Sequence, residues 1–515
     1  MKTRLLATSL FASAIAISSW QTAAAKDWPM FGESVANTSD GVGETAISVK
    51  NVAQLKQKWV ATTGGDVSAR AAVVAGVVYF PDWGGNIWAL SAATGKAIWH
   101  HQLSDFGLPA KTVSRTSPAV VSGIVYIGSQ KDATLLAIDA ATGKLKWKTQ
   151  ADPHPMATVT GSPAVTGGVV YVGVSSQEEF SAFSSSYKCC SFRGSVVAIN
   201  ATTGKMLWKT FTVPEGYTGG GVWGSNPVVD TARKLLYIGT GNNYTKPTDS
   251  AYSKCIAGGG TEPKCLSPDD HVDSMLALET ATGKIKWAKR LRSDDDWNAS
   301  CIVDAAGKDN CPKGPVGLDY DFGPAPNAFT IPASGIYGVP RDAIGGGQKS
   351  GVYTAFDADT GAILWARNAG PGSDLGGMEW GTATDGKQIY VAISNFDKEK
   401  YVEGTAGSWA ALDVETGKIL WRVKDPNSSI DIGPMGVSNG VVYAGSMSTA
   451  KTQDNMFALD AATGKTLWSF NSGASVNAGA VVSGGVVYWG SGYTNLGIPN
   501  FTGNNKFYAF SIGGK

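Results

Sequence analysis

The chain has 515 residues, with 43 Lys and Arg against 42 Asp and Glu, a formal net charge of +1 and no basic stripe. This balance argues against nucleic acid or an anionic membrane surface as the main partner. Charged residues make up only 17% of the chain, whereas 65 glycines and 17 tryptophans favour a protein rich in turns and strands.

Residues 1–25 have the pattern of a secretory signal. Lys2 and Arg4 precede an apolar stretch over residues 5–17, and an Ala-Ala-Ala end predicts cleavage before Lys26. The alternative is an N-terminal membrane anchor, but the apolar run is shorter than the roughly 20 residues of a membrane span. No later segment resembles a span. The mature chain is therefore expected to fold in an oxidising compartment, the bacterial periplasm.

The six cysteines are expected to form disulfides in that compartment. Cys189 and Cys190 are adjacent, so they bond either to each other or to two separate partners. The other four close short loops rich in Gly, Pro and Asp, which favours local pairing of Cys255 with Cys265 and of Cys301 with Cys311. No CxxCH motif occurs, so no covalently bound haem c is expected.

One unit recurs along residues 26–515, and we expect these residues to form a single domain. The unit consists of GVVY, a variable stretch, a short apolar strand and the turn ATGK followed by a Trp. Alternating apolar and polar residues between Gly, Asn and Asp predict strands, and the Gly of TGK predicts a hairpin turn. Thr-Gly turns precede seven tryptophans: Trp99, Trp147, Trp208, Trp287, Trp365, Trp421 and Trp468.

The repeat predicts an all-β, eight-bladed β-propeller, since each unit is too small to bury a core alone. The eighth unit, GVVYWGSGY with KFYAFSIGG, lacks its Trp strand. Residues 55–64, LKQKWVATTG, can supply that strand and its Trp59, which would close the ring without an open edge. A Trp at one fixed place in every blade indicates a wedge between blades rather than a cofactor contact.

The three units between Trp147 and Trp365 are the longest, so long loops should project from blades three to five. These loops contain Cys-Cys and several acidic or Gly-rich motifs. Because the motifs come from successive blades, we expect them to converge above the central channel. The motifs are SSQEE, KCCSFRG, GGGVWGSNP, YIGTGNNY, GLDYDFGPAPN and GGGQKSGVYTAFD.

The repeat together with these motifs resembles the quinoprotein alcohol dehydrogenases, eight-bladed propellers that bind pyrroloquinoline quinone (PQQ) and a divalent ion. Vicinal cysteines followed by SFRG resemble the polyvinyl alcohol dehydrogenase branch most. The resemblance begins with DWPMFGESVANT at Asp27 and covers essentially the whole mature chain.

The resemblance implies a set of cofactor contacts. Cys189 and Cys190 would form a disulfide that stacks on one face of PQQ, and Trp223 would cover the other face. Lys349 matches the basic residue near the reactive carbonyl. Further contacts would come from Arg193, which follows the cysteines, and from Arg115, which matches an arginine that pairs a PQQ carboxylate; a surface arginine is the alternative for Arg115.

The metal ligands implied by the family are a Glu, an Asn and atoms of PQQ. Glu178 matches the Glu, with Glu179 as a competitor, and Asn242 in GTGN matches the Asn. Such hard oxygen ligands suit calcium. Asp319 matches the catalytic base and is also a candidate ligand of the metal. Asp321 matches an acid that completes a lanthanide site in some relatives, which leaves a lanthanide as the alternative to calcium.

Two features depart from the family pattern. In methanol dehydrogenases the cysteine pair precedes the metal Glu by a blade, whereas here it follows in the same loop. The segment DVSARAAVV has no equivalent of their early Glu that contacts a PQQ carboxylate. Assignments taken from the methanol dehydrogenases are therefore weaker than those of the cysteines and Asp319.

The expected reaction is oxidation of an alcohol to a carbonyl by hydride transfer to PQQ, with Asp319 as the base. A secondary alcohol such as a 1,3-diol polymer is the first expectation for the substrate, followed by primary alcohols. Without a haem segment, electrons must pass to an external acceptor, such as a periplasmic cytochrome c.

A non-catalytic propeller that scaffolds outer-membrane assembly shares the repeat, but would not need Cys-Cys, GTGN and DYD together. Nothing positive supports a sugar-binding lectin.

Overall fold

The computed structural model describes residues 26–224, 226–302, 310–333, 336–401, 404–494 and 500–515. The predicted signal peptide, residues 1–25, lies outside the described residues. Within the described part, the strands form eight antiparallel sheets in the order expected for propeller blades. Each sheet begins with a short inner strand, and in seven of the eight the outer strand follows the Thr-Gly turn, so the predicted eight-bladed, all-β fold is confirmed.

The strands of blades 1 to 4 are, in chain order, Ala72–Val74, Val77–Pro81, Asn86–Ser91 and Ala97–Gln102; Ala119–Val121, Ile124–Gly128, Thr134–Asp139 and Leu145–Gln150; Ala164–Thr166, Val169–Ser176, Ser195–Asn200 and Met206–Phe211; and Val228–Asp230, Leu235–Gly239, Ser274–Glu279 and Ile285–Arg290. Blade 3 has an additional short strand, Ala157–Thr158, that pairs with Val169–Ser176.

The strands of blades 5 to 7 are Asn327–Ile331, Arg341–Gly347, Val352–Asp357 and Ile363–Asn368; Ala383–Thr384, Gln388–Ile393, Ser408–Asp413 and Ile419–Lys424; and Gly436–Ser438, Val441–Gly445, Met456–Asp460 and Thr466–Phe470. Blade 8 consists of Val481–Ser483, Val486–Ser491, Lys506–Ile512 and the early strand Leu55–Thr62. The α-helical segments are Glu178–Ser181, Ser250–Ala257 and Glu262–Cys265, and the 3-10 turns are Val52–Gln54, Leu103–Phe106 and Ala299–Cys301.

Blade 8 joins the two ends of the described chain. Leu55–Thr62 pairs antiparallel with Lys506–Ile512, which places Trp59 opposite Ala509. This is the strand exchange that the missing Trp of the last unit predicted. This pairing closes the ring, because blade 8 combines a strand from the start of the described chain with three strands from its end.

The repeated tryptophans link each blade to the next. Every indole N–H of the series donates to a backbone carbonyl of the following blade, over 2.8–3.2 Å. In blades 1 to 7 the turn glycine lies against the Trp ring of the preceding blade; a Cβ on Gly417, for example, would be 2.4 Å from the ring of Trp365. The turn glycines also have positive φ. Packing between blades therefore explains both the Trp and the Gly of the repeat.

The long insertions of blades three to five carry the disulfides. Cys255 is bonded to Cys265 and Cys301 to Cys311, which confirms the predicted local pairing. Cys189 and Cys190 are bonded to each other across a cis peptide. In the part of the chain that the structure describes, no helix combines the length and the apolar character needed to cross a bilayer.

Candidate active site

Loops between and within blades 2 to 7 enclose a cavity of about 380 Å³. Its volume falls within the roughly 300–1,000 Å³ that is typical of small-molecule sites. The sequence-predicted residues Arg115, Glu179, Trp223, Asp319 and Lys349 all line it. The expected convergence of motifs from successive blades therefore occurs for these five side chains.

Asp319 and Lys349 form a buried ion pair in the wall of this cavity. Lys349 Nζ lies 2.7 Å from Asp319 Oδ2, and the two residues are 6% and 1% exposed. Asp319 Oδ1 finds no donor among the described residues, so one oxygen of the carboxylate is free to accept a proton. Burial raises the pKa of Asp319 well above its usual value, opposed by Lys349 and reinforced by Asp321 and Glu179.

Lys349 stays charged despite its burial. Burial alone would lower its pKa, but Asp319 and Asp321 raise it well above the usual lysine value. Its Nζ also lies 5.2 Å from the centre of the Trp223 ring. The lysine therefore places a fixed positive charge between the carboxylate and the indole that line the cavity.

Asp295 holds the backbone of Asp319, a role that sequence reasoning did not assign. Its Oδ1 accepts the N–H of Asp319 at 2.8 Å and its Oδ2 accepts that of Tyr320 at 2.7 Å. Asp319 has φ +58, a left-handed conformation that a non-glycine residue adopts only when its surroundings fix it. The one available signal was the acidic run Asp294–Asp296, which by itself indicates a solvated turn.

Asp321 orients two neighbours rather than facing the cavity. Its Oδ2 accepts the indole N–H of Trp223 at 2.5 Å, and its Oδ1 accepts the backbone N–H of Asn242 at 2.8 Å. The amide nitrogen of Asn242 donates to the carbonyls of Asn243 and Trp297. This leaves Oδ1 of Asn242 as the side-chain atom that could bind a cation.

The two adjacent glutamates face different surroundings. Glu178 is 1% exposed, and its carboxylate accepts the backbone N–H groups of Ser191 and Phe192 and the hydroxyl of Tyr187. Its oxygens are therefore used to hold the loop that carries the cysteine pair. Glu179 instead lines the cavity, and burial together with Asp321 raises its pKa to about 8 against the opposing effect of Lys349. Of the two, Glu179 has the oxygens available to a ligand.

Cys189 and Cys190 are not among the described residues that line the cavity. Cys190 packs against the cluster that contains Phe192 and Tyr244. Cys189 Sγ lies 3.9 Å from Nδ2 of Asn298, the neighbour of the cavity residue Trp297. The pair is thus connected to the cavity wall through one intervening side chain, and its stacking role stays a prediction.

Of the two predicted arginines, Arg115 lines the cavity and Arg193 does not. Arg115 lines the cavity, lies 3.9 Å over the ring of Trp380 and donates to the Tyr493 hydroxyl at 2.7 Å. Burial lowers its pKa, offset in part by Tyr493 and Glu379. Arg193 does not line the cavity, because its guanidinium donates twice to the carbonyl of Val213 and covers the ring of Phe211.

The cavity contains further residues that no motif indicated. Glu379 is 4% exposed, its Oε1 has no partner among the described residues, and burial raises its pKa to about 8. Beside it, Trp380 meets Trp223 edge to face at 5.1 Å. Apolar side chains complete the wall: Phe180, Phe183, Trp297, Ile302, Leu375, Phe396 and Ile432.

These residues fit two kinds of ligand. The indole of Trp223 and the cations of Arg115 and Lys349 suit a flat molecule that carries carboxylates. Glu179, Asn242 Oδ1 and Asp319 Oδ1 are hard oxygen donors of the kind that bind calcium. The described residues contain no group of three or more His, Cys, Asp or Glu arranged to hold a metal ion. A cation here would therefore need further ligand atoms from the flat molecule itself.

Comparison with known proteins finds one matching family model and curated relatives over most of the chain. A family model described as "Outer membrane protein assembly factor BamB" matches residues 43–251 and 348–500. The polyvinylalcohol dehydrogenases of Sphingopyxis sp. (strain 113P3) and of Pseudomonas sp. are each 31% identical, over 91% of this chain and 74% of their own length.

The fold is shared with the quinohemoprotein alcohol dehydrogenase of Comamonas testosteroni. That structure is 21% identical and has a TM-score of 0.70, over 95% of this chain and 81% of the other. At this identity the likeness shows the eight-bladed fold alone.

Proposed function

Because this chain belongs to the PQQ-dependent quinoprotein alcohol dehydrogenases, in the polyvinyl alcohol dehydrogenase branch, we propose that Asp319 is the base of its alcohol oxidation. The observation that supports this most is the unpaired Oδ1 of Asp319 in the cavity wall, with Oδ2 held by Lys349. A non-catalytic scaffold, the alternative expected from the repeat, would not need a buried acid–lysine pair beside a cavity.

In the proposed reaction, Asp319 Oδ1 accepts the hydroxyl proton of the substrate while the C–H bond at the same carbon breaks and a carbonyl forms. PQQ, when bound, accepts the hydride that leaves this carbon. Lys349 holds Oδ2 of the carboxylate at 2.7 Å, so that only Oδ1 can meet the hydroxyl. Asp295 fixes the backbone from which Asp319 projects. A base positioned in this way contributes roughly 10²–10⁴-fold to a rate.

Calcium is the proposed metal, held by Glu179 and Asn242, with the free Oδ1 of Asp319 left for the substrate proton. When bound, it acts as a Lewis acid and lowers the pKa of nearby carboxyls, which would keep Asp319 and Glu179 ionised. A lanthanide would use Asp321 as an additional ligand. Both oxygens of Asp321 already accept N–H groups of Trp223 and Asn242, which favours calcium.

Trp223 is proposed to cover one face of PQQ, with its indole fixed by Asp321. Arg115 is proposed to pair with a PQQ carboxylate, because it is a cavity residue without an ion-pair partner at salt-bridge distance in the described chain. The Cys189–Cys190 disulfide remains the proposed platform for the other face. If it is, the Cys189→Ser/Cys190→Ser variant should bind PQQ more weakly, and an unchanged affinity would contradict that role.

The proposed substrate is a secondary alcohol of a bulky or polymeric polyol, supported by the apolar wall of the cavity and by the activity named for the relatives. Three disulfides and the N-terminal signal pattern support folding in an oxidising periplasm. Electrons are proposed to leave to a separate acceptor, a periplasmic cytochrome c.

Reconstitution tests the proposed function. The purified protein would be incubated with PQQ and CaCl₂ and supplied with 2,4-pentanediol and a dye acceptor. Dye reduction that requires PQQ, calcium and the alcohol together is expected. Activity without added calcium in a chelated sample would contradict the metal assignment, and no oxidation of any alcohol would contradict the proposed function.

A further inference from the structure

Four large apolar side chains are exposed at the mouth of the cavity. Phe180, Phe183, Ile302 and Phe396 are 57%, 53%, 59% and 37% exposed, and all four line the cavity that contains Asp319. We call these four residues the apolar collar. Single exposed apolar residues are ordinary, but a group of them around one opening marks a binding surface.

The backbone that carries Phe180 and Phe183 is fixed by hydrogen bonds rather than loose. Asn310 donates through Nδ2 to the carbonyls of Ala182, Ser184 and Tyr187. Asn310 is also adjacent to Cys311, which is bonded to Cys301. The loop that presents Phe180 and Phe183 is therefore held by the segment that links blades 4 and 5.

Glu178 clamps the same loop from its other side. Its carboxylate accepts the Tyr187 hydroxyl at 2.8 Å and the N–H of Phe192 at 2.6 Å. The protein thus keeps two phenyl rings in contact with water on an ordered backbone. Because exposing apolar area is unfavourable, such an arrangement is expected where a ligand covers the rings.

The position of the base limits what that ligand can be. Asp319 is 1% exposed, so a substrate hydroxyl must enter the cavity to reach Oδ1. A small alcohol fits inside, whereas most of a long chain must remain outside. The surface that it meets on leaving the cavity is the collar.

We propose that the apolar collar binds the hydrocarbon backbone of an extended polyol while one carbinol of that chain enters the cavity. This inference rests on the proposed function. A 1,3-diol chain presents CH₂ groups that can lie on the phenyl rings, with its hydroxyls turned to water. The collar therefore sets preference for long substrates over short ones and leaves the chemical step unchanged.

The test compares substrates of different length in collar variants. Phe180→Ala, Phe183→Ala and the double variant would be reconstituted with PQQ and calcium and assayed with a dye acceptor. Each lost ring should raise KM for polyvinyl alcohol about five- to tenfold, with kcat unchanged, because a half-exposed ring buries roughly its remaining half when the polymer binds and alanine forfeits that burial. KM for 2-propanol should change much less than KM for the polymer, because a small alcohol inside the cavity meets little of the collar.

Phe211→Ala is the matched control, since Phe211 is 42% exposed on the outer strand of blade 3 and does not line the cavity. Its kinetics with both substrates should match those of the unmodified protein. Melting temperatures of all variants would show whether the fold is retained.

Three outcomes would overturn the inference: unchanged KM for the polymer, equal changes for polymer and 2-propanol, or a loss seen only with a cytochrome acceptor. The last would mean that the collar docks the acceptor. A reconstituted protein that oxidises neither alcohol would contradict the proposed function instead. In that case, calorimetric binding of polyvinyl alcohol to the protein and to the double variant still tests the collar, and equal affinities would contradict it.

Discussion

Asp319 Oδ2 and Lys349 Nζ lie 2.7 Å apart inside the propeller, with the other oxygen of the carboxylate unpaired among the described residues. The lysine compensates the buried charge, while the free oxygen keeps its capacity to accept a proton. Oδ2 of Asp319 is thus held by Lys349, whereas Oδ1 is available for proton transfer. A substitution that removes only the proton acceptor therefore tests the role of Oδ1.

Asp319→Asn should reduce kcat by roughly 10²–10⁴-fold, because the amide has almost the same shape but cannot accept the hydroxyl proton. PQQ binding should be retained, as measured by the absorbance of the bound cofactor. Asp359→Asn, at a surface ion pair with Arg233, should leave kcat unchanged. Activity near that of the unmodified protein in Asp319→Asn would refute the base assignment.

Substitutions of the adjacent residues Glu178 and Glu179 should have different effects. Glu179→Gln should weaken calcium activation at an unchanged melting temperature, since its side chain lines the cavity. Glu178→Gln should lower the melting temperature, because the amide has one acceptor oxygen where the carboxylate offers two to the N–H groups of Ser191 and Phe192 and the hydroxyl of Tyr187. Calcium titration of activity and thermal unfolding measure the two effects. The reverse assignment of phenotypes would show that Glu178 holds the metal.

Much of the fold could be predicted because the repeat encodes contacts between blades. Each Trp donates to a carbonyl of the next blade, and all but Trp468 pack on its turn glycine, so the same residues recur from blade to blade. The convergence of Asp319, Lys349 and Trp223 followed from the same logic, since motifs in successive blades meet at one end of the ring.

What the sequence could not supply is the direction in which a loop side chain points. Arg193 follows the cysteines, yet its guanidinium donates both of its hydrogen bonds to the Val213 carbonyl and not to the cavity. Glu379 has no motif around it and is revealed only by its unpaired oxygen in the cavity. Neither outcome depends on strand periodicity, which is the signal that the chain carries most strongly.

Asp295→Asn should lower kcat about 10- to 100-fold, because an amide can accept only one of the two N–H groups that hold Asp319 and Tyr320. KM for 2-propanol should change little, since Asp295 does not line the cavity. Steady-state kinetics with PQQ-loaded enzyme measure both constants. The exposed neighbour Asp294 provides the control as Asp294→Asn. An unchanged kcat in Asp295→Asn would show that the left-handed backbone of Asp319 does not need this carboxylate.

Glu379 should make the cofactor-free protein less stable as the pH rises. Its pKa is about 8 in the folded state because of burial, against an ordinary value of 4.5, so between these values the folded state binds the extra proton. The free energy of unfolding therefore falls with rising pH across this window, by at most about 1.4 kcal/mol per pH unit from this group. Above pH 8 the contribution levels off.

Glu379→Gln removes this titration, so its unfolding free energy should fall less steeply between pH 5 and 8 than that of the unmodified protein. Denaturant unfolding at a series of pH values measures the slope. Asp139→Asn is the control, because hydrogen bonds from Lys146 and Thr142 lower the pKa of Asp139 to about 2 and confine its effect to pH values below the window. Parallel stability curves for Glu379→Gln and the unmodified protein would mean that Glu379 is already ionised in the cavity, with a cation or an arginine as its partner.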